Sequence, residues 1–138
     1  MNVGARAFYH CDKLTSVTLS ESVDGIGNSA FEGCTSLRSI DLPDSLDYIC
    51  DSLFKGCTAL ESVVIPEKVI DIRESAFAGC TNLTEVYFPD GLKDIKSGAF
   101  EYCRKLKSVT IPDSVLFPDR LFLPDVTVLK ALSFRQIK

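Results

Sequence analysis

Residues 26–46 read IGNSAFEGCTSLRSIDLPDSL, and the same layout returns 23 residues later from Ile49 to Val69 and again from Ile72 to Leu92. Cysteine follows this interval at Cys11, Cys34, Cys57, Cys80 and Cys103, phenylalanine at Phe8, Phe31, Phe54, Phe77 and Phe100, and leucine at Leu14, Leu37, Leu60, Leu83 and Leu106. A fixed period of this size marks a solenoid, because each unit hides its apolar side only by stacking on the next. The 138 residues are 46% hydrophobic and 25% charged, which suits one folded body.

Within a unit the pattern changes character. Ala30, Phe31 and Cys34 are spaced to share one side of a short helix. Asn28, Ser29, Asp51, Ser52, Ser75 and Ser97 stand ready to cap its first turn. Gly33, Gly56 and Gly79 fit the left-handed position that ends it, with His10 and Tyr102 in the glycine place at the outer units. Beyond Leu37 the period becomes two. Val17 and Leu19, Ile40 and Leu42, Val63 and Ile65, Val86 and Phe88, and Val109 and Ile111 read as strands with one buried face, and Pro43, Pro66, Pro89 and Pro112 close them. The expected fold class is an α/β solenoid. Its right-handed coil of 23-residue units has a parallel β-sheet on the concave side, short helices opposite, and a phenylalanine spine. Leu53 replaces the usual alanine, so its rung has extra volume to accommodate.

The run Ile26 to Cys34 followed by Leu37-Arg38-Ser39-Ile40-Asp41-Leu42-Pro43 resembles the BspA-like, Treponema-type leucine-rich repeat. The match recurs in four further places over about residues 3 to 115. The resemblance implies a leucine-rich repeat coil from a cell-surface or secreted protein of a host-associated bacterium or anaerobic protist. It also implies adhesion to host matrix or cell-surface proteins, with a structural spacer or an intracellular scaffold segment of a longer array as the alternative. Residues 1–115 are assigned to the repeats, which start in mid-unit, and residues 116–138 to a degenerate repeat, a C-terminal cap or an unrelated tail. In that segment Phe122, Leu123, Val126, Leu129, Leu132 and Phe134 fall 23 after Ala99, Phe100, Cys103, Leu106, Val109 and Ile111. The mid-unit start, without an export leader, suggests a piece of a longer array or self-association through the uncapped N-terminal end.

Surface columns follow from the alternation. Ser16, Ser39, Ser62, Glu85 and Ser108 form one outward column, Thr18, Asp41, Val64, Tyr87 and Thr110 the next, and Thr15, Arg38, Glu61, Thr84 and Lys107 run beside them. These make either a protein-binding concave face anchored by Val64 and Tyr87 or a solvated sheet surface. Glu21, Asp44, Glu67, Asp90 and Asp113 follow the strand ends. Their expected role is to cap turns, with calcium binding as the alternative. Cys50 departs from the buried cysteine column and is expected to be the most exposed thiol.

Several chemistries are excluded or left without support. A net charge of −4 does not suit a nucleic-acid partner, and no apolar run is long enough for a membrane span. Thiols strung one per unit neither pair as disulfides nor converge on zinc. With His10 the lone histidine and no phosphate loop or nucleophile elbow, no catalytic residue, cofactor or metal site is assigned, and the chain reads as non-enzymatic. Asn82-Leu83-Thr84 is a glycosylation sequon, relevant only in a eukaryotic secretory setting.

Overall fold

A computed structural model describes residues 1–116 and the backbone of the strand Thr127–Lys130. Each unit contributes two short strands, and they line up in two rows. The first row holds β1 (Asn2–Val3), β3 (Gly25–Ile26), β5 (Tyr48–Ile49), β7 (Asp71–Ile72) and β9 (Asp94–Ile95). The second holds β2 (Ser16–Val17), β4 (Ser39–Ile40), β6 (Ser62–Val64), β8 (Glu85–Tyr87), β10 (Ser108–Ile111) and β11 (Thr127–Lys130). All pairings are parallel: β1 with β3, β5 with β7 and β9, β2 with β4, β6 with β8, and β10 with β11. Up to β10 the partners are 23 residues apart, as in Val17 with Ile40 and Val64 with Tyr87. The second row is the one read from the alternating pattern. The first was not anticipated, because two residues are too short to show a period.

β11 departs from the repeat interval. Ser108 faces Thr127 and Ile111 faces Lys130, a step of 19 residues, so the 23-residue alignment of Leu129 with Leu106 does not describe this strand. The assignment of the remainder of 116–138, including Phe122, Leu123, Leu132 and Phe134, lies outside the described residues.

The expected short helices are not formed: no helix occurs among the described residues. Alternate amides explain why. Ala30, Glu32 and Cys34 donate within the unit to the third carbonyl back, but Ser29, Phe31 and Gly33 donate to Asp51, Leu53 and Lys55 of the next rung. A helix would need those amides for its own i to i−4 bonds. The backbone is also broken by positive φ at Ser29 (59°) and Gly33 (76°), a pattern repeated at Ser52 with Gly56 and at Ser75 with Gly79. The serine and glycine columns are thus both left-handed positions, and Gly98 occupies the serine column in the last full unit. Of the residues expected as helix caps, Asp51 accepts a backbone N–H from Glu74 on the following rung. His10 and Tyr102 take the glycine place with φ of 57° and 62°.

The core is a stack. Phe8, Phe31, Phe54, Phe77 and Phe100 lie face to face in offset fashion, with successive ring centroids 5.2, 5.8, 5.3 and 5.2 Å apart. The cysteine column runs beside it and does more than fill space. Cys34, Cys57, Cys80 and Cys103 each donate Sγ–H to the carbonyl of Phe8, Phe31, Phe54 and Phe77 respectively, at 3.1–3.2 Å. All six thiols are free. In the first rung Phe8, Cys11, Leu14, Val17 and Leu19 are only half-buried, whereas Phe31, Cys34 and Leu37 in the next are fully buried.

Along the phenylalanine column the step between the second and third rungs is wider than the others. The ring spacing there is the 5.8 Å value, and the Phe31 amide reaches the Leu53 carbonyl at 3.1 Å, against 2.7–2.8 Å at the equivalent bonds from Phe8, Phe54 and Phe77. In the first strand row β3 and β5 do not pair, although β1–β3 and β5–β7 do. The extra volume of Leu53, fully buried where its counterparts are alanine, accounts for the spread. Cys50 sits at this gap. It is buried rather than exposed, contrary to the sequence expectation, and its thiol donates to the Ile26 carbonyl at 2.8 Å. At other rungs the equivalent carbonyls of Val3, Ile49 and Ile72 are bonded by the backbone amides of Gly27, Arg73 and Lys96. The thiol therefore replaces a main-chain bond lost at the widened step.

This strain makes a prediction. Leu53→Ala should cost about 2 kcal/mol, near the low end for a buried leucine, because the rungs can close onto the space; Leu83→Ala, fully buried in a regular rung, should cost about 4 kcal/mol. Urea denaturation of the two variants tests the difference, and equal losses would mean that Leu53 holds nothing apart.

Candidate functional site

The outward residues of the second strand row lie where the alternation places them. Ser16, Thr18, Ser39, Asp41, Ser62, Val64, Glu85, Tyr87, Ser108 and Thr110 are all exposed, as are Arg38, Glu61 and Lys107 at the leading ends of the strands. Register brings Ser16 beside Ser39, Ser62 beside Glu85, and Val64 beside Tyr87. Val64 and Tyr87 stand out because they are 64% and 55% exposed. Two adjacent apolar side chains left in water on consecutive strands have no role in the core, which closes beneath them through Val63 and Ile65. The Tyr87 hydroxyl donates to the Glu85 carboxylate, and this bond raises the phenol above its ordinary pKa. Arg38, Glu61 and Lys107 make no ion pair among the described residues.

Beside this pair an open groove of about 550 Å³ crosses the first three rungs. Leu19, Leu42, Pro43, Val64 and Pro66 provide apolar wall, and Glu21, Asp41 and Asp44 provide three carboxylates, with no Lys or Arg in the lining. The proline and leucine walls were read from the sequence only as strand terminators and core. Their recurrence just after each exposed column was the available signal.

The acidic column at the strand ends behaves differently from the expected turn caps. The turns close through the backbone: the Pro43, Pro66, Pro89 and Pro112 carbonyls accept from Leu46, Val69, Leu92 and Val115. Hydroxyls of Ser45 and Ser114 add bonds to Val23 and Leu92 of the previous rung. Asp44, Glu67, Asp90 and Asp113 stay exposed, and among the described residues no group of three or more acidic, cysteine or histidine side chains converges on a metal position. Asn82 of the sequon uses its side-chain amide to bond the Thr58 carbonyl at 2.7 Å, so that nitrogen serves the stacking.

A further, partly exposed cluster flanks the first strand row. The Arg73 guanidinium lies 3.9 Å from the centre of the Tyr48 ring and 3.4 Å from Asp71, while Lys96 pairs with Asp94 at 2.6 Å. Opposite charges are matched here, in contrast to the groove. No helix among the described residues is long and apolar enough to cross a membrane.

Solved structures share this architecture. A leucine-rich repeat protein of T. pallidum superposes with a TM-score of 0.83 at 37% identity, over 95% of this chain and 63% of its own. A leucine-rich cell-surface protein of Faecalibacterium prausnitzii A2-165 gives 0.78 at 29% identity, over 99% of this chain and 31% of its own. A leucine-rich repeat protein from Bacteroides ovatus gives 0.63 at 33% identity, over 83% and 36%. The chain thus spans less than two thirds of the length of each. Among curated proteins none matches. The profile of the BspA type leucine-rich repeat region matches residues 1–123 in six copies, and the stacked rungs, with their repeated phenylalanine, cysteine and strand positions, belong to that family.

Proposed function

We propose that this chain is a non-enzymatic protein-interaction module that binds through the outward face of its second strand row, the concave face expected from the sequence. The observation that carries this reading is the Val64–Tyr87 pair: large apolar side chains side by side in solvent, in register and flanked by unpaired charge. Aromatic and aliphatic anchors surrounded by polar residues are the usual composition of binding hot spots. Ser16, Thr18, Ser39, Ser62, Ser108 and Thr110 supply the small polar surround, and Arg38, Glu61, Glu85 and Lys107 supply orientation and selectivity. The module serves a cell-surface or secreted protein in adhesion to host matrix or cell-surface proteins, a setting supported by the described cell-surface location of the F. prausnitzii relative.

The double variant Tyr87→Ala with Arg38→Glu tests it. Both side chains are exposed, so the fold should be retained, with a thermal midpoint within a few degrees of the parent. Capture of a panel of purified host matrix proteins by the immobilised variant should fall at least about tenfold, the loss of one hot-spot contact. A parent that binds and a variant that binds equally well would assign the rungs a spacer role instead.

A further inference from the structure

Resting on the interaction reading above, we infer that the groove beside Val64 takes a basic segment of a partner protein, one that carries an aliphatic side chain flanked by lysine or arginine. The groove has two kinds of wall. Leu19, Leu42 and Val64 offer an apolar floor and lip, and Glu21, Asp41 and Asp44 ring it with negative charge. Those carboxylates have no cationic partner among the described residues, whereas the acids of the first strand row, Asp71 and Asp94, are matched by Arg73 and Lys96. An aliphatic side chain entering the groove removes the exposed Val64 from water, and flanking cations meet carboxylates that nothing else neutralises. An acidic segment would instead meet like charge at close range.

The volume of about 550 Å³ suits one or two side chains of an extended segment, not a folded domain. β2 is paired with β4 and β6 with β8, and the Glu61 amide bonds the Arg38 carbonyl across the step between them, so recognition runs through side chains rather than by adding a strand. Selectivity then lies in charge spacing around one apolar residue.

The test uses two fluorescein-labelled peptides, one with leucine flanked by lysines and a twin with glutamates in place of the lysines. Titration of the full chain is followed by anisotropy and by amide NMR shifts. The lysine peptide should bind with shifts at Val64 and Tyr87, and should weaken at least about tenfold between 50 and 300 mM salt as screening sets in. Asp41→Asn should lower its affinity about tenfold. Asp113→Asn, an exposed acid outside the groove, should leave it unchanged. Equal affinity for both peptides, or no effect of Asp41→Asn, overturns the inference. Preference for the glutamate peptide with shifts still at Val64 and Tyr87 overturns the basic partner while leaving the strand face as an interface. Silence at both residues toward both peptides overturns the groove, and the interface reading falls with it only if the Tyr87→Ala, Arg38→Glu variant also captures matrix proteins as well as the parent does.

Discussion

Replacing Phe54 by alanine is expected to lower the unfolding free energy by about 3–5 kcal/mol, the range for a buried aromatic. Phe54 is fully buried and is stacked on both sides, against Phe31 at 5.8 Å and Phe77 at 5.3 Å. Its removal leaves a void in the middle of the column, and the fixed hydrogen bonds between rungs prevent the neighbours from closing it. A solenoid transmits stability only between neighbours, so the damage is to the contact joining the first two rungs to the rest. Phe8→Ala is the comparison. Phe8 has a ring neighbour in the column only at Phe31 and is half-buried, and its loss should cost less than half as much. Urea titrations followed by circular dichroism would show this as unequal midpoints. Equal midpoints would mean that the rings do not act as one spine.

The second large effect is alkaline unfolding. Burial pushes the Cys57 thiol up to about 12, with the neighbouring Cys34 adding to it, and burial likewise raises Cys103 to about 12 and Cys50 to about 11. Burial also raises Cys80 well above its ordinary value. In the unfolded chain these thiols ionise at ordinary pH values near 8.5, whereas the folded protein retains their protons. The folded state thus binds more protons between about pH 9 and 12, and its stability falls as pH rises through that window. The loss approaches about 1.4 kcal/mol per pH unit for each thiol. Several thiols acting together exhaust a stability of about 5–15 kcal/mol within two or three units. Circular dichroism from pH 7 to 11.5 should show a cooperative transition in the alkaline limb. Cys57→Ala and Cys103→Ala together should move it to higher pH, even though they lower stability at pH 7. An unchanged urea midpoint between pH 8 and 10.5 would show that the thiols titrate without unfolding the stack. The same burial should protect Cys34, Cys57, Cys80 and Cys103 from iodoacetamide at pH 8 while the half-buried Cys11 reacts.

Why the two strand rows were unequally legible is a matter of length. Ile40 and Leu42 with exposed Arg38, Ser39 and Asp41 give enough alternation to mark a strand, and every outward residue named from it is exposed. Around Ile49 only Tyr48 and Cys50 flank the buried residue, and Cys50 turned inward. Its burial could not be read from its own column, where Gly27, Arg73 and Lys96 stand. It follows from the step that Leu53, three residues further along the same rung, widens against the rung before, a consequence of contact between rungs and not of any local pattern. The helix expectation failed for a related reason. Ala30, Phe31 and Cys34 have helical spacing, but the same spacing serves a turn whose alternate amides reach across to the next rung. Local periodicity shows which side chains are buried together and is silent on which carbonyl each amide will choose.

The groove was legible only in fragments. Asp41 and Val64 were named from alternation, but Leu19 and Leu42 were read as buried strand residues and Glu21 and Asp44 as turn caps. Their convergence requires the rungs to be stacked and the turns after each strand to be closed by backbone bonds, which frees the acids to face solvent.

Period and composition alone were sufficient for the stacked-rung architecture, the phenylalanine and cysteine columns and the exposed strand face, since a 23-residue interval brings like residues over one another whatever the local path of the chain. Stacking itself settled the rest: the turn in place of the helix, the buried Cys50, the spread rung at Leu53 and the acidic groove. Each of these depends on hydrogen bonds and volumes shared between neighbouring rungs, and the residues that share them are some 23 positions apart along the chain.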